Sequence, residues 1–146
     1  MISYAKILFP LDLSSVAPVI AEHVLSVVKK YGAQLHVLNV VPIYDGPNFA
    51  SYELVMDEIK HNTTQAMEEF CREHFPGVED IVIHVSTGHT GRQILAYARK
   101  RAMELIIMGT HGRSGLGAVF FGSVAQRVVQ SSTIPVMTVH PVRSQT

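Results

Sequence analysis

Leu35-His36-Val37-Leu38-Asn39-Val40-Val41 is apolar almost throughout. A strand with one wet face alternates apolar and polar residues, whereas a run like this one suits a strand covered on both faces, as in a parallel sheet between helices. Leu105-Ile106-Ile107-Met108 reads in the same way. Three further runs rich in β-branched and aliphatic residues, Tyr4 to Phe9, Asp80 to Ser86 and Ile134 to His140, complete a set of five strands with Gln34 to Val41 and Glu104 to Met108.

Between the runs the apolar period lengthens to that of a helix. Val16, Val19, Ile20, Val24, Val27 and Val28 follow the i, i+3, i+4 rule, Lys29 and Lys30 suit the negative end of the helix dipole, and Gly32 supplies the stop. A second helix carries Ile59, Thr63, Ala66, Met67 and Phe70 on one face and must end by Pro76. A third presents Ile94, Leu95 and Ala98, and a fourth Val124, Ala125, Val128 and Val129. Alternating strands and helices predict a single α/β domain over residues 1–146: three layers, with a five-stranded parallel sheet and helices on both faces. The expected strand order is 3-2-1-4-5. In such a sheet ligands settle beyond the carboxyl ends of the strands where the winding reverses, here between the first and fourth strands. The segments expected there are Pro10-Leu11-Asp12-Leu13-Ser14 and the chain from Gly109 onward.

Gly109, Gly112, Gly115, Gly117 and Gly122 cluster at that second segment. Glycines let backbone N–H groups approach a ligand closely, and Gly122-Ser123 opens the fourth helix, whose free N–H groups and dipole favour an anion. Ser123 can add a hydroxyl and Arg113 a charge. The alternative is that the glycines only make a sharp turn and a helix cap. No Gly-Lys pair exists, which excludes a P-loop, and Gly115 and Gly117 are followed three positions on by Phe120, which excludes the dinucleotide fingerprint.

Gly109-Thr110-His111-Gly112, nine residues, then Gly122-Ser123 resembles the Gly-x-x-Gly-x9-Gly-Ser/Thr signature of the nucleotide-binding branch of the universal stress proteins. Ile7-Leu8-Phe9-Pro10-Leu11-Asp12-Leu13-Ser14 resembles that family's first strand and its Asp-containing turn, so the likeness runs the length of the chain. The resemblance implies an adenine-nucleotide α-hydrolase-like fold. It implies that Pro10, Leu11 and Asp12 border the nucleoside, with Val40 beside the adenine, and that Met108 and Gly109 close the base and ribose side. Gly112, Arg113, Gly122, Ser123 and Val124 would hold the phosphates, with Thr110, His111 and Ser114 in the same binding loop. The implied ligand is ATP, ADP or AMP, with Mg2+ or Mn2+ held on the phosphates rather than by protein side chains. A homodimer through Ile134 to His140 is implied as well.

Other residues set limits. Asp12 could bind ribose, meet a metal on the phosphates, or cap the turn before the first helix; it has no second carboxylate, triad or Walker-type lysine beside it, so any hydrolysis should be slow. The eight histidines are scattered without the spacing of a metal site. Twelve basic and twelve acidic residues balance, so no general field draws the protein to nucleic acid. No run approaches the roughly 20 apolar residues of a membrane span. Cys71 stands alone in a helical apolar pattern as expected core filler, and the expected setting is the cytoplasm. Val119-Phe120-Phe121 is expected to pack beneath the glycine loop, and Pro42 to Ser51 to form a connector that could act as a lid. Two functions outside catalysis fit: a dimeric stress or regulatory protein whose bound nucleotide biases its state toward a partner, or an interaction module with a vestigial site. A nucleotide-using enzyme would need further catalytic groups.

Overall fold

The computed structural model describes residues 1–43, 49–111 and 121–141. Among them the elements run β1 (Lys6–Pro10), α1 (Ala17–Tyr31), β2 (Gln34–Val41), α2 (Phe49–His74), β3 (Ile81–Thr87), α3 (Thr90–Lys100), β4 (Leu105–Gly109), α4 (Ser123–Ser131) and β5 (Val136–Val139). Every strand pair is parallel, as the alternation of periods predicted, and the order is β3-β2-β1-β4-β5, as expected.

Side-chain alternation along the strands builds one core on each face of the sheet. Ile7, Phe9, Leu35, Val37, Leu105 and Ile107 meet Ile20, Val24 and Val28 of α1 and Met67 and Cys71 of α2. Leu8, Leu38, Ile106 and Met108 turn the other way, onto Ile94, Tyr97 and Ala98 of α3 and Ala125 and Val128 of α4. The apolar runs of β1, β2 and β4 thus reflect two covered faces. α1 ends as expected: Gly32 adopts φ 63° and donates its N–H to the Val28 carbonyl, with Lys29 and Lys30 in the last turn.

Several expectations shift. The first strand begins at Lys6 rather than Tyr4, whose ring instead packs edge-on against Tyr31. The last strand shortens to Val136–Val139, because Pro135 has no N–H to offer and serves only as acceptor, its carbonyl taking the Ile106 N–H. α2 already begins at Phe49, so the connector is shorter than Pro42 to Ser51; residues 44–48 and any lid there lie outside the described residues. The buried face of α2 is rotated from the expected one: Met67 is fully buried, with Met56 and Cys71 on its face, while Ile59 and Ala66 are exposed. On α4, Val129 is 44% exposed, since Ala125 and Val128 occupy the line facing the sheet. Cys71 is buried as expected, and burial, with the charge of Glu68, pushes its thiol up to about 11, which leaves it unreactive.

A polar chain crosses the α3 side of the sheet. Gln34 donates from Nε2 to both oxygens of Asp80, so its Oε1 accepts from His36 Nε2, and His36 Nδ1 accepts from the Tyr97 hydroxyl at 2.7 Å. The ring is therefore neutral, with its proton on Nε2. Burial first, then the charges of Lys6 and Arg101, lower the His36 pKa from 6.5 against a smaller opposing effect of Asp80. Because the folded pKa lies below the unfolded one, this stability is complete above about pH 6.5 and is lost as pH falls through that value toward the folded pKa. His84, beside Tyr97, is lowered in the same direction, by burial and then by Arg101, Lys60 and Lys100. Thermal unfolding should show a lower midpoint at about pH 5.5 than at about pH 7.5, and His36→Gln, which can accept from Tyr97 and donate to Gln34 without titrating, should reduce that difference. An equal difference in the variant would remove His36 as its source.

Candidate functional site

At the carboxyl ends of β1 and β4 the chain departs in opposite directions, and a cavity of about 420 Å³ opens there. Pro10, Leu11, Asp12, Val40, Met108, Gly109, Thr110, His111, Gly122, Ser123 and Val124 all line it. Gly112, Arg113 and Ser114 lie outside the described residues.

Each wall has a physical cause. Beyond β1 the Leu11 N–H bonds to the Leu38 carbonyl and the Asn39 side-chain amide to the Leu11 carbonyl, holding the turn against β2. Asp12 Oδ1 then accepts the Ser14 N–H at 3.0 Å across Leu13, which sits in the left-handed region at φ 59°. This side-chain turn does not cap α1, which starts later, at Ala17, with Val16 as its N-cap and no side-chain cap. Asp12 thus stays at the cavity wall.

The glycine loop is closed at its neck. Thr110 donates its N–H to Val139, and Gly122 donates its N–H to the Thr110 carbonyl at 2.6 Å. A Cβ on Gly122 would lie 3.2 Å from that same carbonyl, so a bare backbone suits this position. Gly109 is glycine for a different reason: a Cβ there would meet Ile20 Cδ1 at 2.4 Å, within the α1 core. α4 begins immediately after the neck, Gln126 being the first residue whose N–H returns to the Gly122 carbonyl. The N–H groups of the first turn, Ser123 to Ala125, have no intrahelical partner and stand at the positive end of the dipole on the cavity wall.

His111 is buried and lines the cavity, its Nδ1 2.9 Å from the Thr110 hydroxyl, with the His140 ring 5.6 Å away. Phe121 is 38% exposed instead of packing beneath the loop; Val119 and Phe120 lie outside the described residues. Sequence reading missed Asn39, Ile59 and Thr63 of α2, and Thr90 and Ile94 of α3, which complete the walls. A polar residue near the end of an apolar strand was the available signal for Asn39. Among the described residues, no three His, Cys, Asp or Glu side chains group as a metal site, and no helix is long and apolar enough to cross a membrane.

The chain matches the sequence profile described as the Universal stress protein family over residues 3–140. It is similar to Universal stress protein MJ0531 of Methanocaldococcus jannaschii, with 30% identity over 139 residues, 93% of this chain and 82% of that protein. The solved structure of MJ0577, also from Methanocaldococcus jannaschii, superposes with a TM-score of 0.84 at 24% identity, covering 99% of this chain and 100% of that one. The universal stress protein from Archaeoglobus fulgidus in complex with dAMP superposes with a TM-score of 0.64 at 17% identity, over 94% of this chain and 98% of the other. With the profile matched over residues 3–140 and a relative 30% identical over most of both chains, the chain belongs to the universal stress protein family.

Proposed function

We propose that this protein binds an adenine nucleotide, ATP or its ADP or AMP relatives, and works by holding it rather than consuming it. The observation that carries the reading is the meeting, in one cavity, of the Asp12 turn with the closed Gly122 neck and the open N–H groups of α4. Backbone donors at a helix start suit phosphate oxygens, the apolar walls from Val40 and Met108 suit a base, and Asp12 suits ribose hydroxyls. The dAMP bound to the Archaeoglobus fulgidus protein supports an adenine nucleotide as the ligand class. Mg2+ would ride on the phosphates, whose charge it would neutralise.

Asp12 is the only carboxylate among the described lining residues, and no lysine joins it, which favours slow hydrolysis at most. Occupancy then acts as a signal, biasing the state offered to a regulatory partner. β5 is an edge strand with Met137 36% exposed, and α4, which packs on it, exposes Val129; pairing with a second copy would cover both, giving a homodimer through Ile134 to His140. The cytoplasm, where nucleotide is plentiful and a lone thiol stays reduced, suits such a role.

Calorimetric titration with ATP and magnesium should give saturable binding with a submillimolar constant, at one site per chain, in a preparation that sediments as a dimer. Absence of saturation at millimolar ATP would refute the nucleotide reading, and a monomer would refute the dimer.

A further inference from the structure

β2 presents its backbone groups alternately to its two neighbours: Gln34 bonds toward β1 through Ala5, and Leu35 toward β3 through Asp80. By that alternation the N–H and carbonyl of Val40 point to the β1 side. The last rung on this side is Leu11 N–H to the Leu38 carbonyl, and a continued parallel ladder would next join the Val40 N–H to the Leu11 carbonyl. Among the described residues that rung is not made. Asn39 Nδ2 instead donates to the Leu11 carbonyl at 2.7 Å, from a side chain 8% exposed and at the cavity wall.

We propose that Asn39 is a positioning residue for nucleotide binding, which takes the Leu11 carbonyl out of the ladder, fixes the Leu11–Asp12 turn, and leaves the Val40 backbone edge available to the base. The proposal rests on the nucleotide reading above. An apolar residue at position 39 would leave a buried carbonyl without a partner, and the Leu11–Asp12 peptide would either drift or close onto Val40. Both outcomes harm the cavity: the first moves Asp12, the second consumes a donor.

The decisive variants are Asn39→Asp and Asn39→Leu, titrated with ATP and magnesium beside the wild type at about pH 8 and about pH 5.5. Aspartate keeps the shape of asparagine but, ionised, sets an acceptor against the Leu11 carbonyl, and burial against that acceptor raises the carboxyl from its ordinary value of about 3.9 toward the lower pH; protonated, its O–H restores the donor. Asn39→Asp should bind ATP about tenfold more weakly than wild type at the higher pH and recover most of that loss at the lower, whereas Asn39→Leu should stay about tenfold weaker at both. A merely structural role would not produce recovery on acidification, and the wild type at each pH corrects for titration of ATP and of His36. Both variants binding within twofold of wild type at the higher pH would overturn the proposal. If the wild type itself takes up no nucleotide, the nucleotide reading fails separately, and amide hydrogen exchange still judges the turn. Faster exchange of the Ser14 N–H in Asn39→Leu supports the positioning, and unchanged exchange overturns it.

Discussion

Gly122→Val should lower ATP affinity by about a hundredfold or more while leaving the fold intact, because it strikes the neck where the loop is closed. The φ and ψ of Gly122, −71° and 164°, are open to any residue, so backbone strain is not the cause. A Cβ already lies 3.2 Å from the Thr110 carbonyl, and valine adds two methyl groups in the same confined space. The neck cannot widen without stretching the 2.6 Å bond from the Gly122 N–H to that carbonyl, and α4 begins at the next residue. Any shift moves the N–H groups of the first turn, the donors proposed for the phosphates. Charge-assisted bonds of this kind contribute about 1.5–3 kcal/mol each, so misplacing two accounts for the loss. Circular dichroism should be unchanged, and Gly122→Ala, with one methyl, should fall between valine and wild type. A valine variant that binds ATP within threefold of wild type would remove the phosphate site from this neck.

Phe9→Ala should cost about 3–5 kcal/mol of stability, a large part of the roughly 5–15 kcal/mol typical of a domain. Phe9 is 1% exposed at the centre of the sheet, with Phe75 edge-on at 6.0 Å and Phe70 at 6.5 Å. Its ring joins β1 to Phe70 and Phe75 at the C-terminal end of α2, and its removal leaves a cavity in a packed core. The chemical denaturation midpoint should fall with little change in slope. A loss below about 1 kcal/mol would mean that α2 collapses onto the vacated space far more readily than a packed core allows.

The order of elements was legible because burial on both faces writes near-continuous apolar runs, and β1, β2 and β4 carry them. Edges were less legible. Nothing in Tyr4 itself says that it leaves the ladder to meet Tyr31, and Ile134 resembles a strand residue until Pro135 is counted as a missing donor. The rotation of α2 escaped because its periodicity fits two neighbouring faces, and only contact with the sheet selects the one through Met56, Met67 and Cys71. Within the site, residues on the two segments at the switch point could be named in advance, since topology alone brings those segments together. Ile59, Thr63, Thr90 and Ile94 could not be, because they enter through crossover helices whose approach depends on packing. Asn39 acts through a bond between a side chain and the backbone of another element, a relation with no spacing in sequence.

The place of β1 in the sheet also governs when the protein can finish folding. The strand made first stands in the middle, with Ile7 paired to Leu105 on one side and to Leu35 on the other. As the ribosome delivers the chain, β1, β2 and β3 with α1 and α2 can gather early, because their partners are close in sequence. That half-sheet still has an open edge along β1 and an uncovered greasy face where α3 and α4 will lie. Until β4 emerges, the nascent chain exposes the kind of edge on which strangers can add a strand. The same late arrival completes the cavity, whose walls at Gly109 to His111 and Gly122 to Val124 are made well after those at Pro10 to Asp12.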